Sequence, residues 1–390
     1  MYGVLRGLVH EANQSVMIVA GEASGDLYGA TLAAQLRELV PSARFFGMGG
    51  DCMRKAGVET LVDANEMAVM GLVEGLGHLP VIVKNFNILK RRLLAAPPAL
   101  LILIDYPDFN LRLAKIAKRA GIKVLYFISP QVWAWRSGRV HGIGRVIDRM
   151  AVLFPFEVPF YENAGIPVSF VGHPLLDMVR PTMGKEEALR SFGLDPSRST
   201  LGLFPGSRKS EIAKLLPDIL EAAKLLKRHR PDLQLLLPLA SSLRPEDIAL
   251  QVEESGLEIS IVSGRNHDVM VACDAAISVS GTVTMELALV GVPMVIIYRV
   301  SPLSYQIGKR VIKVPHIGIC NIVAGKAVAR ELIQHEVTGP AIAQEVEALL
   351  GDAKYAQWMR DEFAQVRVKL GSGGALERLA ALASELLSQK

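Results

Sequence analysis

The feature that most restricts the fold of this chain is a regular alternation between short apolar runs and segments of helical periodicity. "SVMIVAG" (15–21), "ALLILID" (99–105) and "KVLYFISP" (123–130) are strand-length runs, and apolar residues recur at helical spacing between them. Nearly continuous Val, Ile and Leu strands are typical of parallel sheets, because helices cover both faces of such a sheet. The pattern therefore predicts a doubly wound α/β fold.

The alternation begins a second time after a polar, Pro-containing connector at 174–199. "TLGLFPGSR" (200–208), "LQLLLPL" (233–239) and "DAAISVSGT" (274–282) belong to this second series. A chain of 390 residues is also too long for one ordinary core. We therefore expect two Rossmann-like doubly wound domains that face each other across a cleft.

The boundary between the two domains is predicted near 172–176. This gives an N-terminal domain over 1–172 and a C-terminal domain over 173–372. The final amphipathic helix, at about 373–390, is expected to pack back on the first domain.

Composition restricts the compartment and the partners. The chain is 50% hydrophobic, yet it has no apolar run long enough to span a bilayer, and its first residues do not resemble a signal peptide. Three widely separated cysteines predict a reducing compartment without disulfides. The eight histidines are scattered, so neither a metal nor another cofactor is expected. A net charge of +4 mildly favours an anionic partner.

Two strand ends of the second half are candidate anion sites. In "LFPGSRKSE" (203–211), Gly206 allows a close backbone approach, Ser207 stands at a helix start, and Arg208 adds a charged fork. The alternative is an ordinary turn with a surface arginine.

The second of these strand ends is "SVSGTVTMELALVGVP" (278–293). Ser280, Gly281 and Thr282 form its turn, and Glu286 follows one helical turn later, where a carboxylate suits a ribose diol. Glu286 could equally be a solvated helix residue. Because no dinucleotide or Walker pattern occurs, a single nucleoside diphosphate fits these turns better than a dinucleotide.

Acidic residues follow two strands of the first half. "AGEASGDLYG" (20–29) carries Glu22 and Asp26, and "LIDYPDFNLRL" (103–113) carries Asp105 and Asp108. Carboxylates at strand ends are candidate general bases. For each of the strand-end acids Asp105 and Asp108 the alternative is a helix cap, and Asp108 is the better placed of the two for that role.

An apolar segment at 68–94 ends in a basic cluster. Val69, Leu72 and Leu76 recur at helical spacing within it. Such a segment is typical of a surface that enters a membrane interface, and it is equally compatible with packing in the core.

Taken together, the motifs resemble those of the lipid-A-disaccharide synthase family, which consists of GT-B glycosyltransferases. The resemblance covers nearly the whole chain, and its motifs stand in family order: "GEASGD", "GMGG", "IDYPDFN", "SPQVWAWR", "VGHPLLD", "PGSRKSEI", "SGTVTMELAL" and "NIVAGKAVARELIQ". The family usually has a small residue where this chain has Tyr106, which puts the shape of the acceptor pocket in question.

The resemblance implies a reaction. The donor would be UDP-2,3-diacylglucosamine and the acceptor 2,3-diacylglucosamine 1-phosphate (lipid X), giving a β-1,6-linked disaccharide 1-phosphate and UDP by an inverting displacement. Asp108 would be the base or would position the acceptor, with Asp105, Glu22 and Asp26 in reserve, and Asn321 would join the donor site. The enzyme would work without a metal at the inner face of the cytoplasmic membrane. No nucleic-acid partner is expected, and a homodimer is left open.

Within this resemblance "SPQVWAWRSGRV" (129–140) belongs to the acceptor side. Trp133 and Trp135 suit a boundary between sugar and acyl chain, and Arg136 or Arg139 would meet the acceptor phosphate. Three alternatives stay open: a peptidoglycan GlcNAc transferase, a UDP-GlcNAc epimerase, and a non-catalytic UDP-sugar-binding scaffold.

Overall fold

The structure is a computed structural model that describes residues 14–64, 66, 75–132, 137–240, 242–301, 305–306 and 315–389. The chain divides into two compact units. The first consists of Met1–Pro174 and Gly374–Lys390, and the second of Leu175–Gly373. The chain thus passes from the first unit to the second at residue 175.

The first unit contains a parallel seven-stranded sheet. Its strands are β1 (Ser15–Ala20), β2 (Arg44–Gly49), β3 (Glu59–Asp63), β4 (Leu100–Ile104), β5 (Lys123–Phe127), β6 (Arg149–Val152) and β7 (Val168–Phe170). The spatial order is β3-β2-β1-β4-β5-β6-β7. Every residue of β4 is buried, which explains its unbroken apolar sequence.

Helices connect these strands in the predicted alternation. They are α1 (Ala23–Leu39), α2 (Asp51–Lys55), α3 (Gly75–Ala95), α4 (Pro107–Arg119), α5 (Val140–Gly144) and α6 (Glu157–Glu162), with a 3-10 turn at Ser137–Arg139. Leu89 and Leu93 of α3 are fully buried, whereas Val83 and Leu94 are exposed. One face of α3 therefore belongs to the core and another face meets solvent.

The second unit contains a parallel six-stranded sheet in the order β10-β9-β8-β11-β12-β13. Its strands are β8 (Thr200–Phe204), β9 (Gln234–Leu239), β10 (Ser260–Ser263), β11 (Ala275–Val279), β12 (Met294–Tyr298) and β13 (Glu331–Ile333). Its helices are α7 (Leu175–Met178), α8 (Lys185–Ser191), α9 (Lys209–His229), α10 (Glu246–Ser255), α11 (Asn266–Ala272), α12 (Thr282–Val290), α13 (Ile319–Ala324), α14 (Gly339–Gly351) and α15 (Ala353–Lys369), with a 3-10 turn at Gln334–Glu336. The prediction of two doubly wound α/β sheets is confirmed.

The last helix, α16 (Ala375–Ser388), packs against α1 of the first unit. Its residues Leu379 and Ala383 are completely buried. Arg378 donates its Nε to the Val171 carbonyl at 2.8 Å, and Lys123 donates its Nζ to the Leu386 carbonyl at 2.9 Å. Burial and these two hydrogen bonds tie the end of the chain to the first sheet.

Across the described ranges, none of the helices combines the length and the apolar character that crossing a lipid bilayer requires.

Candidate active site

The strand order of the first sheet reverses between β1 and β4. These strands pair directly, with Ala20 opposite Ile104, so the turns that follow them leave the same edge of the sheet side by side. Parallel α/β sheets bind ligands at such reversals, beyond the carboxyl ends of the strands. The acidic motifs that begin with Glu22 and Asp105 both lie at this point.

The turn after β4 has an unusual backbone. Asp105 and Tyr106 both have φ of 49°, in the left-handed region that costs a non-glycine residue on the order of 1–3 kcal/mol. The Tyr106 ring lies over Gly21, where an added Cβ would come within 2.7 Å of the ring atom Cγ. The Tyr106 ring therefore covers the turn after β1, and a side chain larger than that of glycine at position 21 would collide with it.

Burial and neighbouring charge act together on this turn. They raise the pKa of Asp105 to about 6, burial being the larger cause and the Glu22 carboxylate the next. Burial, Glu22 and Asp108 raise the pKa of the Tyr106 phenol in the same direction. Glu22, Asp105 and Asp108 therefore form one acidic cluster around Tyr106.

Asp108 stands in the first turn of α4 with 88% of its side chain exposed, and its Oδ1 lies 3.7 Å from Nη2 of Arg139. Tyr106 is the N-cap residue of this helix, and no side chain caps it there, so Asp108 does not act as the helix cap. The structure thus brings the predicted base together with one of the predicted acceptor arginines.

Asp26 has a different environment and is only 6% exposed. Its carboxylate accepts backbone N–H groups from Gly50 at 2.6 Å, Cys52 at 2.9 Å and Met53 at 3.0 Å. These contacts cap α2 and hold the "GMGG" turn. The prediction of Asp26 as a reserve base needs correction, because its oxygens are committed to these donors and to holding this turn.

The second sheet reverses its strand order between β8 and β11, which pair with Ser278 opposite Phe204. After β8, Gly206 has φ of 104°, and an added Cβ would come within 2.4 Å of Oε2 of Glu211. That oxygen accepts the N–H groups of Ser207 at 3.1 Å and Arg208 at 3.3 Å, and Oε1 accepts Nη1 of Arg208 at 2.9 Å. The N–H donors predicted for a ligand anion are therefore held by a carboxylate of the chain itself.

In the turn after β11, side chains of the described residues bind fewer backbone N–H groups than in the turn after β8. Ser280 donates its hydroxyl to the Ile317 carbonyl at 3.2 Å. Gly281 is the N-cap of α12, and no side chain of the described residues caps this helix start. Thr282 is exposed, and burial raises the pKa of the Glu286 carboxyl one turn later. This helix N-terminus can receive an anion more readily than the one after β8.

Asn321 is fully buried and all its polar positions are paired. Its Nδ2 donates to the Ala329 carbonyl and the Glu331 carboxylate, and its Oδ1 accepts the N–H groups of Val328 and Ala329. The predicted donor contact of Asn321 is therefore wrong for its side chain, which braces the start of α13 against β13.

Within the described ranges, no three His, Cys, Asp or Glu side chains come close enough together to hold a metal ion.

The sequence profile of one protein family, lipid-A-disaccharide synthetase, matches residues 16–378. This chain belongs to that family. The synthase of Geobacter sulfurreducens is 60% identical over 383 residues, 98% of this chain and 100% of the relative. That of Coxiella burnetii is 44% identical over 376 residues, 96% and 99% of the two chains. The protein is a lipid-A-disaccharide synthase family glycosyltransferase of lipid A biosynthesis.

Solved structures with the same fold include two proteins of low sequence identity. UDP-GlcNAc 2-epimerase from Neisseria meningitidis, bound to UDP-GlcNAc, has a TM-score of 0.65 and 12% identity over 95% of this chain and 100% of that one. CalG4, the calicheamicin glycosyltransferase, has a TM-score of 0.61 and 14% identity over 97% and 99%. At these identities the likeness shows the fold, which is of the GT-B type.

Several residues predicted for this family's acceptor or membrane side are not placed by the structure. Five lie outside the described residues: Val69, Leu72, Trp133, Trp135 and Arg136. Leu76 lies in α3, but its side chain falls outside the described part. Their roles stay predictions.

Two glutamates that hold turns next to the predicted donor residues were not predicted from the sequence. Glu211 caps the turn after β8, and Glu331 accepts the N–H groups of Ile317 and Gly318, each at 2.9 Å. Glu211 could have been found from its place three residues into a predicted helix, the capping-box position. Glu331 carries no such local signal, because its partners are more than ten residues away in the chain.

Replacing Asp26 with Ala is expected to lower the free energy of unfolding by about 3 kcal/mol, because three buried N–H groups lose a charged acceptor. Urea denaturation at neutral pH measures the change. The matched control is Asp51→Ala in the adjoining helix α2. The Asp51 side chain is 74% exposed, and its ion-pair partner is the surface residue Arg54, so this variant should lower stability much less than Asp26→Ala. Equal effects in the two variants would contradict the capping role of Asp26.

Replacing Asp105 with Asn is expected to raise the free energy of unfolding of this protein by an amount that depends on pH. Because the folded pKa of about 6 exceeds the ordinary value of 3.8, ionisation of Asp105 destabilises the fold as pH rises through this interval. The Asn variant should therefore gain roughly 2–3 kcal/mol at pH 8 and nothing below pH 4. Urea denaturation across this range checks the sign, and a gain independent of pH would contradict the assignment.

Proposed function

We propose that the protein transfers 2,3-diacylglucosamine from UDP-2,3-diacylglucosamine to the 6-hydroxyl of 2,3-diacylglucosamine 1-phosphate, with inversion. The observation that carries this proposal is the exposed Asp108 carboxylate, beside Arg139 at the strand-order reversal of the first sheet. Family membership supplies the reaction class, and this acid supplies a base for it.

The proposed step is a direct displacement. The acceptor 6-oxygen bonds to the anomeric carbon of the donor while the bond from that carbon to the diphosphate oxygen breaks. Asp108 accepts the hydroxyl proton, and UDP departs with the bonding electrons. Arg139 places a guanidinium beside this carboxylate, with its Nη2 3.7 Å from Oδ1 of Asp108.

On the donor side we assign the diphosphate to the start of α12, around Gly281 and Thr282. The support is that no described side chain caps this helix start, whereas Glu211 already occupies the N–H groups after β8. The Arg208 side chain is 63% exposed, so its guanidinium can turn from Glu211 to the diphosphate. Glu286 would receive the ribose hydroxyls.

On the acceptor side we assign the 1-phosphate to Arg136 or Arg139 and the boundary between sugar and acyl chain to Trp133 and Trp135. An arginine fork matches phosphate oxygens, and indole rings suit a boundary between water and hydrocarbon.

We also propose that the protein acts as a peripheral enzyme on the inner face of the cytoplasmic membrane. Helix α3 supports this, because it exposes Val83, Ile88 and Leu94 together with basic side chains. Those exposed basic residues are Lys84, Lys90 and Arg91. Apolar side chains beside lysines and arginines favour the surface of an anionic bilayer.

Replacing Asp108 with Asn is expected to lower turnover by about 10²- to 10⁴-fold, because the hydroxyl loses its proton acceptor. The assay measures UDP release with both acylated substrates, and UDP affinity should not change. Glu38→Gln is the control: this exposed acid lies in the last turn of α1, at the opposite edge of the sheet. Full activity of Asp108→Asn would refute the base, and no acceptor-dependent UDP release by the unaltered protein would refute the reaction.

Changing Val83, Ile88 and Leu94 together to Ser is expected to weaken binding to phosphatidylglycerol-containing vesicles by about tenfold or more, because the inserted apolar area is lost. Co-sedimentation measures the bound fraction. The control changes Leu250 and Val368, which are 66% and 71% exposed in the second unit, to Ser. Equal binding by the two variants would count against α3 as the membrane face.

A further inference from the structure

Two side chains from other parts of the first unit hold the strained turn after β4. Tyr126, in β5, donates its phenolic O–H to the Asp105 carbonyl oxygen at 2.7 Å. Asn110, in α4, donates its Nδ2 to the same oxygen at 2.7 Å and to the Ile104 carbonyl at 3.2 Å. One carbonyl oxygen therefore accepts two hydrogen bonds from opposite sides of the turn.

Both donors are fully buried. The amide orientation of Asn110 is determined by its surroundings, because an oxygen in the place of Nδ2 would face two carbonyl oxygens. Its Oδ1 is buried without a hydrogen-bond partner among the described residues, which costs stability. An apolar side chain at this position would avoid the unpaired oxygen. The asparagine therefore contributes through the two carbonyl oxygens that its Nδ2 binds.

The held carbonyl belongs to the first of the two left-handed residues, Asp105 and Tyr106. Without an anchor, residues of this type favour right-handed conformations. Such a change would rotate the peptide between them and redirect the chain into Pro107 and Asp108. Two carboxylates of the candidate site depend on this peptide, because Asp105 directly precedes it and Asp108 follows two residues after Tyr106.

We infer that Tyr126 and Asn110 are positioning residues for the transfer reaction. By holding the Asp105 carbonyl oxygen they maintain the left-handed turn and thereby the placement of Asp105 and Asp108 toward the acceptor hydroxyl. This inference rests on the proposed function. Neither side chain touches substrate, so their effect belongs to the rate of the chemical step and not to substrate binding.

The test removes one hydroxyl and keeps its ring. Tyr126→Phe is expected to lower kcat about 10- to 100-fold while KM for each acylated substrate stays within about twofold, since misplacement of a reacting group slows the chemical step without removing binding contacts. The matched control is Tyr355→Phe in α15 of the second unit. Tyr355 donates its hydroxyl to Oε1 of Glu345 at 2.8 Å, so this variant also loses a tyrosine hydrogen bond, outside the unit that holds the turn.

Both Phe variants should lower Tm by similar amounts, and only Tyr126→Phe should lose kcat. Asn110→Ala tests the second donor, with the same loss of kcat at unchanged KM. Unchanged kcat in Tyr126→Phe and Asn110→Ala, or an equal loss in Tyr355→Phe, would overturn the positioning role. Because the unaltered protein is assayed alongside, absence of acceptor-dependent UDP release from it would instead refute the proposed function.

Discussion

The parallel pairing of β1 with β4, and of β8 with β11, decides where the chemistry of this protein can lie. Strands buried on both faces have no room for unpaired polar side chains, so the polar residues gather where strands end. Strand order reverses at these two pairs, and the turns beyond them leave a free edge. The acids of the first unit and the anion-binding turns of the second all follow from this arrangement.

The carboxylates at these edges differ in what surrounds them. Asp26 and Glu211 accept backbone N–H groups, and each of them thereby holds a turn. Asp108 instead faces solvent beside Arg139. Asp105 is half-buried, and burial together with the nearby Glu22 carboxylate raises its pKa. Acids of the first kind hold turns of the chain, whereas Asp105 and Asp108 stay the predicted bases.

The two helix starts of the second unit divide in the same way. The start of α9 receives Glu211, while that of α12 has no side-chain cap within the described residues. Both follow a glycine-containing turn at the same edge, and their sequences look equally suited to a phosphate. Only the position of one glutamate, three residues into α9, distinguishes them, and it leaves α12 as the better anion site.

The sequence by itself determined the α/β class, the two series of strands, the strand ends that carry polar residues, and the family. These properties are local: periodicity, apolar runs and short motifs are complete within a few residues. Only the tertiary structure decided which of these polar side chains are held by distant parts of the chain. Asp26 meets its partners 24 to 27 positions away, and Tyr126 reaches the Asp105 carbonyl across 21. Neither Asp105 nor Tyr106 is a glycine, so the sequence carries no local signal for their left-handed conformation. Contacts from β5 and α4 impose that conformation.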